Sequence, residues 1–147
     1  MLFKDQMNRK IRLDSAPKRI VSLVPSQTEL LFDLGLEKEV VGITKFCIRP
    51  NNWFRKKTRV GGTKNVNFEK IEKLKPNLII ANKEENTESE IKQLIKKYPV
   101  WISDIQNLED ALEMISLIGK MTNTKAKAKS KEKIVKNSFK DFAQQNG

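Results

Sequence analysis

The first buried strand of the chain ends in a polar corner, "PSQTE" at residues 25–29. A serine between a strand and a helix suggests a nucleophile elbow, but this corner lacks the G-x-S-x-G pattern. The chain also contains no histidine and a single cysteine, Cys47. This composition excludes Ser-His-Asp and Cys-His catalysis, the usual ligands of catalytic zinc and an intrachain disulfide. It therefore predicts a protein that is not an enzyme of these types.

The spacing of Ser26 and Glu29 predicts a capping box, in which each side chain accepts a hydrogen bond from the backbone amide of the other. Two roles stay open for this corner. It either only starts the helix, or it also contacts a ligand through Pro25, Ser26, Gln27 and Thr28. Free amides at the helix start can in addition bind an anionic group.

Three further features have a plain and a functional interpretation. The turn "VGGTKN" (60–65) lacks the spacing of a phosphate-binding loop, which favours a tight turn that needs glycine torsions. Glu84 and Glu85 form a solvated loop or contact a cation. Cys47 is a buried thiol or, with Lys45 and Arg49 as its basic neighbours in sequence, the nucleophile of a small enzyme.

The net charge of +11 raises the question of an anionic partner. Seven lysines against two acidic residues give residues 123–147 a charge of +5, and the other +6 is spread over 122 residues. This distribution favours a solvated helix face. The aromatic residues of the basic loop, Phe46, Trp53 and Phe54, either anchor that loop or stack on a flat ligand. Stacking on bases keeps a basic module that binds nucleic acid or another anionic partner as the alternative function.

The order of elements predicts an α/β domain with a parallel sheet. A hairpin with its turn at "DSAPK" (14–18) comes first. The apolar runs predict four strands, at residues 19–24, 40–44, 77–82 and 100–103. Helices are expected after Ser26, Asn67, Thr87 (with Glu90 as a second capping box) and Asn107. In such a sheet, ligands bind at the carboxyl ends of the strands, which here lead into residues 25–28, 45–50, 82–86 and Asp104.

The C-terminal segment, residues 123–145, is helix-prone for more than 20 residues but carries few apolar side chains. These are Ala128, Val135, Phe139 and Phe142, at helical spacing. A long helix with so thin an apolar stripe is typical of one that lies across another body.

Two stretches carry a resemblance, "KRIVSLVPSQTELLFDLGLEKEVVGIT" (18–44) and "VGGTKNVNFEKIEKLKPNLIIAN" (60–82). They resemble the N-terminal lobe of the helical-backbone, or class III, substrate-binding proteins of ABC importers, which take up cobalamin, ferric siderophores and haem. The likeness to the cobalamin-binding type is the greatest. "DQMNRKIRLDSAPKRI" (5–20) resembles the leading hairpin of that family.

The resemblance implies two Rossmann-like α/β lobes joined by one long helix, with the ligand held between them. Residues 1–122 then correspond to the N-terminal lobe and 123–147 to the start of the backbone helix, and the second lobe is absent from this sequence. The expectation is half of a clamp: a fragment or the product of a truncated gene. The N-terminal residues contain no secretory signal, whereas the family is periplasmic or held on the outer face of the cell membrane.

The resemblance also assigns roles to single residues. Phe46 aligns with an aromatic that lines the cobalamin cleft, and Thr63 stands where the cobalamin binder has a tryptophan. Cys47 has no counterpart there and implies a different chelate, such as another corrinoid or an iron complex. Glu69 aligns with the glutamate that docks onto arginines of the membrane permease. The complete set of predicted ligand residues is Pro25, Ser26, Gln27, Thr28, Phe46, Cys47, Arg49, Gly62, Thr63, Asn82 and Glu84.

Overall fold

A computed structural model of the chain describes residues 1–146, and Gly147, the end of the predicted 123–147 segment, lies outside them. The strands are β1 (Leu2–Lys4), β2 (Lys10–Arg12), β3 (Ile20–Ser22), β4 (Val40–Ile43), β5 (Thr58–Arg59), β6 (Leu78–Asn82) and β7 (Val100–Ser103). The helices are α1 (Pro25–Asp33), α2 (Asn51–Lys56), α3 (Phe68–Leu74), α4 (Glu88–Ile95), α5 (Leu108–Met121) and α6 (Lys125–Asn146). The four predicted main strands and the alternation of strand and helix are confirmed.

The central sheet is parallel and has the order β5-β4-β3-β6-β7. Both of its faces are covered, because successive strand residues enter different core clusters. Ile20 and Ile80 pack with α1 and α5, whereas Val21 and Ile79 pack with α3 and α4. Strands buried on both faces must be apolar throughout, which explains their continuous apolar runs. The fold is therefore a three-layer α/β/α lobe.

The predicted capping box at the first corner is wrong. Helix α1 begins at Pro25, its N-cap is Val24 in an extended conformation, and no side chain caps it. Proline suits the first helical position because its φ is already helical and it has no N–H to satisfy. The helix therefore starts two residues earlier than a Ser26 N-cap would place it, and Ser26 lies inside its first turn with an exposed side chain.

Thr87 is the N-cap of α4, as predicted, but the second capping box is also wrong. Its hydroxyl donates to the carbonyl of Lys64 over 2.8 Å, and the Glu90 carboxylate accepts from the amide of Val66 at 3.3 Å. Both side chains bind the segment at residues 60–66, which contains the "VGGTKN" turn, because the fold brings free backbone groups of this segment within reach. By contrast, Asn67 caps α3 through an accepted bond from the amide of Lys70, as expected.

The leading hairpin is confirmed, but its turn is not "DSAPK". The strands β1 and β2 pair antiparallel, and the chain reverses between Asp5 and Arg9. The Asp5 carboxylate accepts from the amides of Met7 and Arg9, both at 2.9 Å, and pairs with the Arg9 guanidinium at 2.7 Å. A buried carboxylate that accepts several bonds organises a turn better than proline and serine alone. Residues 14–18 instead connect the hairpin to β3.

The long basic loop after β4 contains two elements that the sequence analysis missed, α2 and β5. Trp53 of α2 is buried, donates to the Glu37 carboxylate and packs edge-on against Phe32 at 5.4 Å between ring centroids. Lys57 lies over the Trp53 ring and donates to the carbonyls of Glu37 and Val40, each at 2.6 Å. Burial lowers the pKa of Lys57, and Glu37 and Glu39 oppose that shift. Trp53 thus anchors the loop, which is one of the two roles that the sequence left open for its aromatic residues.

Helices α5 and α6 pack closely against each other on the two sides of a turn at Asn123, whose φ is +60°. The Cβ of Ala128 lies only 2.5 Å from the position that a Cβ on Gly119 would occupy. Ala128 is buried and Val135 is partly buried against the same core, whereas Phe139 and Phe142 remain exposed. The thin apolar stripe therefore packs against the core only along the first half of α6.

Candidate functional site

The corner at residues 25–28, the first of the predicted ligand loops, rests on a buried chain of hydroxyl and thiol groups. Thr28 on α1 donates to the Ser22 hydroxyl at 2.8 Å and to the Val24 carbonyl at 2.9 Å. Its oxygen also lies 3.2 Å from the Cys47 sulfur, which lies 3.1 Å from the Thr44 hydroxyl. These contacts tie the carboxyl ends of β3 and β4 together. Because Cys47 and Thr28 are fully buried, neither side chain faces the surface.

A second buried group ties the corner to the other half of the sheet. The Gln27 amide donates to the Ser103 hydroxyl at the end of β7 and lies 3.5 Å from the Ala81 carbonyl. The side-chain amide of Asn82 donates to the same hydroxyl over 2.9 Å. Gln27 is fully buried, and its side-chain oxygen has no hydrogen-bond partner in the part of the chain that the structure describes. Gln27 therefore supports the corner from beneath.

Asn86 joins three of the loops at the carboxyl edge. Its amide donates to the carbonyls of Leu23 and Thr63, over 3.1 and 2.9 Å, and its oxygen accepts from the amide of Asn82 over 2.8 Å. Asn82 in turn accepts from the amides of Glu84 and Glu85 through its own side-chain oxygen, each at 2.9 Å. The loop after β6 is thus fixed against β3 and the glycine turn.

The glycine turn is a tight turn, as predicted, and it lies beside Phe46. Gly61 has a φ of +99°, and Gly62 donates to the Asn65 carbonyl at 2.9 Å. A Cβ on Gly62 would lie 3.2 Å from the Phe46 ring, so glycine lets the ring approach the backbone. The Phe46 ring is 54% exposed, and the Lys45 ammonium lies 5.3 Å from its centre.

The predicted ligand residues divide by exposure. Ser26, Phe46, Arg49 and Glu84 are exposed, and Pro25, Thr63 and Asn82 are half-buried. We call these seven residues the carboxyl-edge surface. The buried members, Gln27, Thr28, Cys47 and Gly62, lie beneath this surface and hold it in place. Direct contact of these residues with a ligand stays a prediction.

Charges on the carboxyl-edge surface are mixed. Lys64 donates to the Glu84 carbonyl, and Lys83 pairs with Asp104 over 3.7 Å. Arg49 is exposed and precedes Pro50 through a cis peptide bond. Within residues 1–146, no cluster of three or more histidine, cysteine, aspartate or glutamate side chains is arranged to hold a metal ion. The exposed Glu84 and Glu85 fit the solvated-loop interpretation.

Glu69 lies in the first turn of α3, shortly after the glycine turn. Its side chain is 81% exposed and lies 4.0 Å from the Lys73 ammonium. A carboxylate in the first turn is favoured by the helix dipole, and this one is also free to meet a partner. None of the helices within residues 1–146 is long and apolar enough to cross a membrane.

Sequence reasoning missed the residues that hold the loops together. These are Ser22, Thr44, Asn86 and Ser103, all of them fully or almost fully buried. Two of them share a signal that was available, since Thr44 ends the apolar run "VVGIT" and Ser103 ends "VWIS". Ser22 lies inside the run "RIVSLV" and gives no such signal. Asn86 lacks such a signal, because its partners are 63 and 23 residues away.

Comparisons with known proteins agree with this geometry. The family model described as "Periplasmic binding protein" matches residues 20–146. The chain is 34% identical, over 94% of its length, to an uncharacterised ABC transporter substrate-binding lipoprotein, YvrC, of Bacillus subtilis. It is 30% identical, over 64% of its length, to a vitamin B12-binding protein of Pectobacterium carotovorum. These two relatives are covered over 45% and 34% of their own lengths.

A solved structure matches the fold of the whole lobe. It is the periplasmic vitamin B12-binding protein BtuF of Vibrio cholerae, with a TM-score of 0.79 and 24% identity. The match covers 88% of this chain and 51% of that one, so the structure corresponds to a single lobe of it. The family match, the relatives and the fold agree, and this chain belongs to the periplasmic binding protein family.

Proposed function

We propose that this chain forms one ligand-binding lobe of an ABC-importer substrate-binding protein, and that it does no chemistry on its ligand. The relatives are named as binding proteins, and B12 is the ligand named for one of them. The chain spans less than half of each, so the activity of the complete protein is inferred from these relatives. The most plausible ligand is cobalamin or another corrinoid.

The observation that carries this proposal is the fixed carboxyl-edge surface, on which Phe46 is exposed beside the glycine turn. Three loops from separate strands are locked by Asn86, Thr28 and Gln27, so the surface is preorganised. An exposed aromatic ring on such a surface is suited to stack on a flat macrocycle. It is the carboxyl edge of a parallel sheet, where ligands of α/β folds bind.

Two residues bear on which chelate is bound. Thr63 offers a small side chain in place of the tryptophan of the cobalamin type. Its carbonyl is held by Asn86 and its side chain is half-buried. Cys47 lies beneath the surface, so a preference for an iron complex does not come from a direct sulfur ligand. Haem and ferric siderophores are therefore the alternatives to test beside corrinoids.

Equilibrium dialysis with cyanocobalamin, haem and a ferric siderophore tests the proposal, with bound ligand read from its visible absorbance. We expect saturable binding of one of the three, weak for residues 1–147 alone because one lobe offers one wall. The same titration on the chain fused to the second lobe of a two-lobe relative should give tighter binding. Failure of all three ligands to bind the fused protein would overturn the ligand class.

We also propose that the complete protein works at the outer face of the cell membrane and docks onto the permease subunits of an importer through Glu69. One relative is named a lipoprotein, which supports the location. The side chain of Glu69 is exposed on α3, which leaves it accessible to a partner.

A nucleic-acid-binding module is the second candidate function. The lysines of α6 favour it, because they form a positively charged surface that is separate from the carboxyl-edge surface. Salt-dependent binding of an oligonucleotide, lost on neutralising Lys125 to Lys133, would support it.

A further inference from the structure

Helix α6 carries a straight row of lysines on one side. Five of them follow one another at intervals of three or four residues, and all five side chains are exposed. They are Lys125, Lys129, Lys133, Lys136 and Lys140, here called the lysine row. At about 100° per residue they share an arc of about 80°, and they extend for about 22 Å along the helix axis.

The charge of the lysine row is not balanced by the fold. Among residues 1–146, none of the five lysines has an ion pair or a side-chain hydrogen bond, whereas Lys131 of the same helix pairs with Asp33 over 2.7 Å. Glu132 lies within a turn of Lys129 and Lys136, at the border of the row, and is half-buried. Lysines spaced four residues apart repel one another and weaken a helix. The row therefore lowers the stability of α6 without a compensating contact in this lobe.

The row faces away from the core, although Lys125 and Lys129 at its start border α5, where they line a shallow pocket with Ser116 and Lys120. Ala128 and Val135, which contact the core, are on a different side of the helix, and the exposed Ile134 lies outside the arc as well. A partner can therefore contact all five ammonium groups without displacing α5. Such a partner has to be extended and negatively charged.

We propose that the lysine row binds the anionic headgroups of a phospholipid membrane and lays α6 along the membrane surface. Five collinear point charges match a flat, continuous layer of phosphate charge. Nucleic acid fits less well, because the arc carries no aromatic side chain to stack on bases and no arginine, asparagine or glutamine to read their edges. Because the arc lacks large apolar groups, attraction is electrostatic and the helix does not insert.

The inference does not depend on which ligand the carboxyl-edge surface holds, and its test uses residues 1–147 as they are. The chain is sedimented with vesicles of phosphatidylcholine containing about 30% phosphatidylglycerol, and with pure phosphatidylcholine vesicles, at low salt. The row variant changes all five lysines to glutamine. A control variant changes Lys18, Lys38, Lys56, Lys96 and Lys97, which are also exposed, to glutamine and so has the same net charge.

We expect the chain to bind the anionic vesicles and not the neutral ones, and to be released as salt screens the charges. Each lysine at the membrane surface contributes about fivefold, so loss of all five should weaken binding by about 10³-fold, while the control variant changes by about twofold at most. Circular dichroism verifies that both variants remain helical. Equal losses in the two variants, equal binding to neutral vesicles, or tighter binding of a single-stranded or duplex oligonucleotide than of the anionic vesicles would each overturn the proposal.

Discussion

The side-chain amide of Asn86 donates to the backbone carbonyl of Thr63 over 2.9 Å and so joins the loop after β6 to the glycine turn. The same side chain bonds Leu23 and Asn82 and is 4% exposed. Its removal would leave one buried and two partly buried backbone groups without these bonds. The position of Thr63 at the carboxyl-edge surface thus depends on a buried residue beneath it.

Replacing Asn86 with alanine should lower the free energy of unfolding by about 2–4 kcal/mol, because the unpaired backbone groups lose their compensation. Urea denaturation followed by circular dichroism measures the change. Asn137→Ala on the exposed side of α6 is the matched control and should change stability by about 0.5 kcal/mol or less. Equal effects of the two substitutions would show that the Asn86 bonds do not hold the loops.

Gly119 is needed where α5 crosses α6. A valine at this position would place its Cβ 2.5 Å from that of Ala128, between two packed helices that cannot separate without exposing the core. We expect Gly119→Val to cost about 1–3 kcal/mol of stability from overpacking. Lys120→Val puts the same β-branched residue at the next, exposed position and isolates helix propensity, worth about 0.5 kcal/mol. Similar midpoints in thermal denaturation for both variants would contradict the close crossing.

The thiol of Cys47 should be unreactive in the folded chain. It is fully buried between the hydroxyls of Thr28 and Thr44, so a thiol reagent reaches it only after unfolding. We expect Ellman's reagent to react at least about 100-fold more slowly in buffer than in denaturant.

The double variant Ser26→Cys, Cys47→Ala is the control, since its one thiol is exposed at the same corner and should react at once. Fast modification of the unaltered chain under native conditions would contradict the buried position and would restore Cys47 as a candidate nucleophile.

Phe46→Ala should weaken binding of the chelate about tenfold, because an aromatic stack on a ligand is worth about 1–1.5 kcal/mol. Equilibrium dialysis measures the affinity, and urea denaturation should show nearly unchanged stability, since the ring is 54% exposed. Phe139→Ala removes a ring that is 51% exposed on α6, and it should leave the affinity unaltered. Equal affinities for both variants would remove Phe46 from the binding surface.

Glu69→Gln should weaken docking onto a cognate permease by about tenfold or more, because a carboxylate that pairs with arginine loses its charge. Co-purification of the ligand-loaded two-lobe protein with the permease in detergent measures docking. Glu72→Gln, an exposed change on the same helix α3, is the control and should dock normally. Ligand affinity should stay constant in both, so failure to dock is separable from failure to bind.

The carboxyl-edge surface was only partly predictable. The rule that ligands bind at the carboxyl ends of parallel strands identified the loops that meet at this edge, because strand direction follows from the alternation of strand and helix. The rule did not predict which side chains in these loops are exposed. Ser26 and Gln27 are neighbours in the same turn, yet one faces solvent and the other lies under the surface against Ser103. Their difference depends on where α1 begins, which is two residues before the start that the predicted capping box implies.

The sequence by itself determined the lobe architecture. Apolar strand runs, the N-caps at Asn67 and Asn107 and the thin stripe of α6 are local patterns, and local propensity with periodicity is sufficient to read them. Only the tertiary structure decided the use of Thr87 and Glu90, which bind the glycine loop instead of their own helix. The formation of the small strand β5 and the hydrogen bonds of Asn86 also depend on the tertiary structure. Each of these depends on partners distant in sequence, and a hydrogen bond goes to whichever partner the folded chain brings within about 3 Å.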